Sequence, residues 1–293
     1  MAKRKPGDRR DARWVREAPG LQTVMAHLMP GRVNNEAYLQ ETVDITELLQ
    51  YISKKNETHP EYKTTVFHCL IFALAKMIHE RPLMNRFIQG NRIYERNGIS
   101  VSFICRRRFV DHSEEALMFF VPKEEDTLDT LSYKIAGEVH ETRREEKATG
   151  GLDQVLDRFA KLPRILLMII VSIVRFLDFW GLVPKALSDG DPNYSSCFLS
   201  NLGSVGCNAV YHHLNNYGTN SLFVTMGVIR KAEMINENGE KEIRDLVDLG
   251  IIVDERIGDG FYFARSLKLV KYLFRHPELL EETLFTPSNF DYQ

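Results

Sequence analysis

One apolar segment, from Thr64 to His79, constrains the fold of this 293-residue chain more than any other feature. Plotted on a helix, its apolar side chains cover nearly the whole circumference; they are Val66, Phe67, Leu70, Ile71, Phe72, Leu74, Met77 and Ile78. A helix that is apolar on all sides has to be enclosed by other elements. The segment therefore predicts a central buried helix, which ends before Pro82.

The elements around this helix are read from shorter patterns. Strands are predicted at residues 37–45, 99–105, 116–121, 196–201, 221–228 and 248–253, and a hairpin at 87–94 around Gln89-Gly90-Asn91. Helices are predicted at 127–139, at 260–274, and after Thr46 as an N-cap. Helices spread through the first half and strands clustered late favour an α+β fold, a two-layer sandwich with a mixed β-sheet.

Composition excludes several classes of protein. Hydrophobic residues make up 44%, charged residues 27%, and the formal net charge is −2, which is an ordinary globular balance without a general attraction for nucleic acid. The first sixteen residues are nevertheless basic, with Lys3, Arg4, Lys5, Arg9, Arg10, Arg13 and Arg16 against Asp8 and Asp11. Two interpretations stay open: a solvated terminus, or an arm that docks on a partner or a membrane surface.

The cysteines point to a reducing compartment. Cys69, Cys105, Cys197 and Cys207 are far apart and form no CxxC pair, and no His/Cys spacing suggests a metal site. We expect buried thiols. Because the N-terminus has no apolar leader, we also expect a cytoplasmic protein.

A second apolar stretch, residues 162–187, stands apart from these elements. Residues 165–174 are all apolar except Ser172, and Pro184 ends the pattern. A membrane-spanning helix needs about 20 such residues, so a span is excluded. Three alternatives remain: a helix packed in the core or at a subunit contact, a lid over a substrate pocket, or a helix at a membrane interface.

Two short motifs carry the chemistry. Residues 197–206 read CFLSNLGSVG, and residues 254–260 read DERIGDG directly before a predicted helix. Together they resemble the two signature segments of the catalytic domain of dihydrolipoyl acyltransferases, which are related to chloramphenicol acetyltransferase. The first signature resembles Ser200, Asn201, Leu202 and Gly203. The second is an aspartate-histidine-arginine run with aspartate-glycine after two further residues, matched here by Asp254, Arg256, Asp259 and Gly260.

The resemblance implies a reaction and roles. It implies coenzyme A as the acyl carrier, a homotrimer with active sites between subunits, and an oxyanion hydrogen bond from Ser200, with Asn201 and Gly203 beside the substrate. Asp259 is expected to support the loop that carries the base, and Arg32 to pair with it. As a plainer alternative, Ser200 only ends a strand before a turn, which Gly203 and Gly206 suit in any fold.

This sequence departs from the family pattern at the base, where Glu255 replaces the histidine. A general base works best when its pKa is near the working pH, and an unperturbed histidine (about 6.5) is closer to it than a glutamate (about 4.3). Burial raises the pKa of a carboxyl group, so Glu255 can act as base only if it is desolvated and unpaired. In the alternative, Glu255 is paired with Arg256 and has no catalytic role. His212 or His213 is a possible substitute base.

We therefore predict a basic N-terminal segment at 1–38 and an acyltransferase-like domain at 39–293, with the apolar stretch 162–187 inserted. The expected function is a stand-alone, acyl-CoA-dependent acyltransferase with a small or lipid-like acceptor. We expect no lipoyl domain ahead of the predicted domain, and neither a metal nor a nucleic-acid partner. The alternative is a degenerate trimeric pseudoenzyme that serves as a binding or scaffold protein. Peripheral membrane contact is a third, less favoured alternative.

Overall fold

The structure is a computed structural model, and it describes residues 4–58, 60–107, 110, 115–144, 159–236 and 238–292. Its main sheet has six strands in the order β2-β9-β8-β7-β5-β6. These strands are β2 (Glu36–Asp44), β5 (Val101–Arg106), β6 (Glu115–Phe120), β7 (Cys197–Asn201), β8 (Leu222–Ile235) and β9 (Lys241–Asp254). A smaller sheet, in the order β1-β4-β3, contains β1 (Ala12–Trp14), β3 (Arg86–Gln89) and β4 (Arg92–Arg96).

The main sheet is mixed, as predicted. Strand β7 runs parallel to both of its neighbours, β5 and β8, and the other pairs are antiparallel. Strands β8 and β9 are each 14 residues long, well beyond the predicted ranges. The apolar pattern of the sequence does not predict the outer halves of these two strands, because those halves are exposed and rich in charged residues. They are held by antiparallel pairing that continues to Ile235 opposite Lys241.

The helices are α1 (Gly20–Leu28), α2 (Thr46–Asn56), α3 (Val66–Glu80), α4 (Leu128–Arg144), α5 (Arg164–Phe179), α6 (Lys185–Ser188) and α7 (Gly260–Arg275). The prediction of a central helix is confirmed in α3, whose residues from His68 to Ile78 are all buried. The Thr65 hydroxyl caps it by accepting the His68 amide at 3.3 Å. Helices α2, α4 and α7 pack beside α3 in the layer on one face of the sheet.

Thr46 has a different role from the predicted N-cap. It is the first residue of α2, and its amide and hydroxyl both donate to the Asp44 carboxylate, at 3.0 and 2.7 Å. An acidic residue two positions earlier thus does the capping. The cysteine prediction holds at three positions, since Cys69, Cys105 and Cys197 are buried, but Cys207 is exposed.

The described part of the basic N-terminal segment is docked on the domain. Strand β1 pairs with β4 from Ala12 opposite Arg96 to Trp14 opposite Tyr94. The guanidinium of Arg9 is buried over the rings of Phe87 and Tyr94, with its carbon 5.4 and 5.8 Å from their centroids. The expectation of a solvated terminus therefore holds only in part: Arg4, Lys5, Arg10, Arg13 and Arg16 are exposed, but Arg9 and the backbone of residues 12–14 are docked, because the second sheet offers them pairing partners and aromatic faces.

The inserted apolar helix α5 lies on the surface of the chain. Ten apolar side chains between Ile165 and Leu182 are exposed, with Ile165 at 74% and Phe176 at 62%. Packing in the core of its own chain is thus ruled out. One residue anchors the helix: the buried carboxylate of Asp178 accepts from Gln89 Nε2 at 2.7 Å and from the Tyr194 hydroxyl at 2.8 Å. The domain boundary near residue 38 stays a prediction.

Candidate active site

The first motif occupies the C-terminal end of β7, in the middle of the main sheet. Leu199 points into the core beneath α3, and the alternation of a strand places Phe198 and Ser200 on the opposite face. Phe198 stacks on Phe223 of β8, with centroids 4.7 Å apart. Ser200 is level with Thr225 in the parallel register. The serine side chain therefore lies on the face of the sheet opposite to Leu199, at the end of the strand.

Glycines bring the chain after the motif down onto this face. A β-carbon at Gly203 would lie 2.4 Å from the Gly227 carbonyl oxygen, and one at Gly227 would lie 2.4 Å from the Ala209 nitrogen. At Gly250 it would lie 2.6 Å from the Val210 carbonyl oxygen. Since none of these positions can hold a side chain without a shift, the backbone of residues 207–210 crosses β8 and β9 in direct contact. The Gly203 of the motif is thus explained by packing.

Ser200 and Asn201 also form part of the wall of a pocket of about 800 Å³ at the end of β7. The first turn of α3, the end of β5 and helix α4 complete the wall. Among the described residues, no hydrogen bond is made by the Ser200 hydroxyl, so its proton is available to a ligand. Asn201 organises the turn instead: its side-chain oxygen accepts the Ser204 amide at 3.1 Å.

His68 lines the same pocket, and its role was not anticipated from the sequence. Its Nδ1 atom is buried without a hydrogen-bond partner among the described residues. Burial lowers the pKa of His68 to about 4, so the imidazole is neutral at physiological pH. The only sequence signal was a single histidine in the first turn of an otherwise apolar helix, a position that is usually structural.

The two substitute bases lie on the Ser200 face of the sheet. The His212 ring stacks on Phe223, with centroids 4.4 Å apart and planes 8° from parallel. Its Nδ1 is 2.8 Å from the His213 carbonyl oxygen, and His213 Nδ1 is 3.0 Å from the Leu214 carbonyl oxygen. Phe223 comes two residues before Thr225, so His212 lies about 7 Å along the strand from the level of Ser200. The structure thus places His212 on the same face as Ser200, without a contact between them.

The second motif is built on a buried ion pair. Asp254 ends β9 with no exposed surface and binds Arg256 through two contacts, Nε–Oδ1 at 2.8 Å and Nη2–Oδ2 at 2.6 Å. Arg32 approaches the same carboxylate, with Nε 3.8 Å from Oδ2. Two sequence-based expectations are therefore wrong: Arg256 does not pair with Glu255, and Arg32 pairs with Asp254 instead of Asp259. Asp254 is the buried carboxylate, so it attracts both arginines.

Both arginines also bind backbone oxygens. Arg256 Nη1 donates to the carbonyls of Met29 at 2.6 Å and Pro30 at 3.2 Å. Arg32 Nη2 donates to the carbonyls of Ile88 and Gly218, at 3.0 and 3.1 Å. Burial lowers the pKa of Arg32 to about 10, which leaves it protonated at neutral pH. The cluster thereby connects the end of α1, the hairpin β3–β4 and the loop before β8 to the motif turn.

Glu255 and Asp259 lie on the solvent side of this turn. Glu255 starts a single turn of 3₁₀ helix and is exposed, and no hydrogen bond or ion pair to it is found in the described part of the chain. Asp259 caps α7, since its Oδ1 accepts the Tyr262 amide at 2.7 Å, and Gly260 is the first helical residue. The predicted structural role of Asp259 thus takes the form of a helix cap.

Ser200 and Glu255 lie far apart within one chain. In the register of the sheet, Ser200 is level with Thr225 and Gly250. Glu255 follows Gly250 by five residues, a displacement of about 17 Å along the strand direction. One chain therefore holds the two halves of the predicted site at different ends of the sheet, and they do not meet.

Part of the chain matches a known protein family. Residues 184–281, which include both motifs, match the family model of the 2-oxoacid dehydrogenases acyltransferase catalytic domain. The predicted resemblance to this family is confirmed over that range. Comparison with curated protein sequences gives no significant match.

Similar solved structures extend over nearly the whole chain. A probable dihydrolipoamide acetyltransferase from Listeria monocytogenes is 17% identical, with a TM-score of 0.59 over 100% of this chain and 99% of that one. The Azotobacter vinelandii dihydrolipoamide acetyltransferase is 16% identical, with a TM-score of 0.60 over 91% and 93%. A chloramphenicol acetyltransferase is 12% identical, with a TM-score of 0.51 over 92% and 100%. The chain has the chloramphenicol acetyltransferase-like fold.

We predict that the Asp254 cluster is essential to this acetyltransferase-like fold. Asp254→Asn leaves Arg32 and Arg256 buried without a full counter-charge, so we expect the free energy of unfolding to fall by about 3–5 kcal/mol. The matched control is Asp248→Asn, which removes an exposed pair with Arg230 (3.1 Å) and should cost about 1 kcal/mol or less. Urea denaturation measures both, and equal losses would contradict the prediction.

A second prediction concerns His68 and pH. Between about pH 6.5 and pH 4 the unfolded chain takes up a proton at His68 and the folded chain does not, so stability falls as the pH falls through this window. The contribution amounts to about 3 kcal/mol, since one pKa unit corresponds to about 1.4 kcal/mol. His68→Leu should flatten this dependence in urea denaturation at several pH values. The exposed His27→Leu should leave it unchanged, and a His68→Leu profile as steep as that of the wild type would refute the idea.

Proposed function

We propose that the protein is an acyltransferase that moves an acyl group from coenzyme A to a small thiol or alcohol acceptor. The observation that carries the proposal is the unpartnered Ser200 hydroxyl at the end of β7, inside the range that matches the acyltransferase family. A donor that no protein group occupies can stabilise charge that develops on a substrate oxygen. The stand-alone character stays a prediction.

In the proposed reaction the acceptor attacks the thioester carbonyl while a base takes its proton. Ser200 donates a hydrogen bond to the tetrahedral oxyanion. The carbon–sulfur bond then breaks, and the coenzyme A thiolate leaves and takes up the proton. Only hydrogen bonds that strengthen at the oxyanion accelerate this step, which is why the proton of Ser200 has to be free.

The pocket beside Ser200 suits a nucleotide thioester in size and charge. Its volume of about 800 Å³ lies within the range of ligand pockets, about 300–1,000 Å³. Arg106, Arg143 and the N-terminal turn of α3 are part of its wall, and each of them favours phosphate groups. These features support coenzyme A as the acyl carrier.

For the base we propose Glu255 from a neighbouring subunit of a trimer. The separation of about 17 Å along the sheet supports this arrangement, since Ser200 and Glu255 of one chain cannot act on one substrate. The Azotobacter vinelandii enzyme has been examined at a serine, a histidine and an asparagine in its catalytic mechanism. That histidine and asparagine are four residues apart, as Glu255 and Asp259 are here. A subunit contact would also bury Glu255, which a glutamate base requires.

The first test is Ser200→Ala. We expect kcat to fall about 10²–10³-fold, because a positioned oxyanion donor typically has an effect of this size. The assay separates acyl-CoA from product by chromatography, with dihydrolipoamide and chloramphenicol as trial acceptors. Ser53→Ala, an exposed serine on α2, is the matched control and should keep full activity. Unchanged turnover in Ser200→Ala would refute the assignment.

A second candidate function, a degenerate scaffold protein, is favoured by one observation: Glu255 is exposed and unpartnered in the single chain. The discriminating variants are Glu255→Gln and Glu255→His. If the proposed function is right, the wild type transfers acyl groups and Glu255→Gln lowers kcat about 10²–10⁴-fold. If instead the wild type is inert with several acyl-CoAs while Glu255→His gains transfer, the protein is a pseudoenzyme.

A further inference from the structure

Helix α5 presents an apolar face that its own chain leaves uncovered. Ile165, Met168, Ile169, Ile173 and Phe176 recur at helical spacing and are all exposed, and Ser172 lies among them. The opposite side, with Leu167, Ile170, Val174 and Leu177, is half-buried. Soluble monomers rarely expose an apolar stripe of this length, so a partner has to be sought for it.

Cations border this face. Arg164 and Arg175 are eleven residues apart, about three turns, and therefore lie on the same side of the helix, next to the apolar stripe. Lys161 and Lys185 lie before and after it, and all four cations are exposed. Within the described residues, none of the four forms an ion pair. The only acidic residue between Lys161 and Lys185 is Asp178, which is buried. The segment therefore presents an uncompensated positive charge beside apolar groups.

The C-terminal end of the helix adds aromatic and basic groups. Phe179 and Trp180 are exposed, and they share a surface groove with Arg4, Arg9 and Arg92. Arg9 Nη1 donates to the Asp178 backbone oxygen at 3.2 Å, which ties the basic N-terminal segment to this end. Tryptophan is enriched where membrane meets water, and arginines beside it meet lipid phosphates.

We propose that α5 and the adjoining basic segment form a docking surface for an anionic lipid bilayer, with the helix axis in the plane of the membrane. The sixteen residues of α5 correspond to about 24 Å, and no described helix is long and apolar enough to cross a bilayer. An apolar stripe bordered by cations fits the interface, where apolar side chains enter the acyl region and arginines bind headgroups. If the partner of the stripe were a protein, the four unpaired cations beside it would have no comparable role.

The proposal is independent of catalysis and goes beyond the proposed function. Its test is co-sedimentation of the full chain with vesicles of phosphatidylcholine, with or without about a third of phosphatidylglycerol. We expect binding to the anionic vesicles at low salt, and much less to neutral vesicles or at high salt, where charges are screened. Absence of binding to anionic vesicles at low salt would overturn the proposal.

Variants separate the two contributions. Phe176→Asp should lower the partition coefficient at least tenfold, and the double variant Arg164→Gln, Arg175→Gln about tenfold or more on anionic vesicles only. The matched control, Ile243→Asp on β9, changes a side chain that is 61% exposed and should bind as the wild type does. Equal losses in Phe176→Asp and the control would overturn the proposal.

A second copy of the chain is the competing occupant of the apolar face. Light scattering of the wild type and Phe176→Asp detects it, and circular dichroism verifies that the variant is folded. If Phe176→Asp reduces the oligomer size and the wild type does not bind vesicles, the face is a subunit contact and the lipid proposal is wrong. An unchanged oligomer with loss of vesicle binding supports the proposal.

Discussion

The buried carboxylate of Asp254 is the interaction on which most of the site architecture depends. In the described structure, the charged partners of Asp254 are two arginines, Arg32 and Arg256. Each arginine also donates hydrogen bonds to backbone carbonyls. Such a cluster is costly to bury, so its net contribution to stability is small, but removing one partner is costly because it leaves a buried charge, and the geometry is specific. It fixes the turn after β9 relative to α1, to the hairpin β3–β4 and to the loop before β8. The exposed Glu255 therefore follows a well-fixed residue, although no hydrogen bond or ion pair to it is found among the described residues.

A second constraint acts at the other end of the sheet. Gly203, Gly227 and Gly250 lie on neighbouring segments and allow the backbone of residues 207–210 to touch β8 and β9. Through this contact the chain crosses the uncovered face of the sheet, and the ring of His212 stacks on Phe223. The half-site at Ser200 and the half-site at Glu255 are therefore each held by local packing, while the distance between them is set by the sheet register. Within the described part of one chain, no element brings them together.

The sequence predicted the elements whose patterns are governed by burial. The all-apolar α3 and the glycine-asparagine turn at Gly90 and Asn91, with φ of 57° and 58°, are examples, because each pattern has one physical explanation. The sequence did not predict which side chains pair with each other in the folded chain. Arg256 is adjacent to Glu255 in sequence, yet backbone direction turns its side chain to Asp254. The surface position of α5 could not be predicted either, because the sequence pattern of an apolar helix is the same whether protein or lipid covers it. The role of His68 was not predicted, because the lack of a hydrogen-bond partner at its buried nitrogen depends on the side chains that surround it in the fold.

Asp178 has a consequence for how the inserted helix moves. Its carboxylate accepts three hydrogen bonds, from Gln89, Tyr194 and the Gly218 amide, and burial raises its pKa, which the hydrogen bond from Tyr194 opposes. Detaching the C-terminal end of α5 would leave these donors without their acceptor inside the domain, so this end of the helix is held to the domain. Arg32 binds the carbonyl of the same Gly218. The C-terminal end of the insertion and the motif turn are thus joined through Gly218, so we expect the amide hydrogens near Asp178 to exchange with the domain rather than as part of a loose appendage.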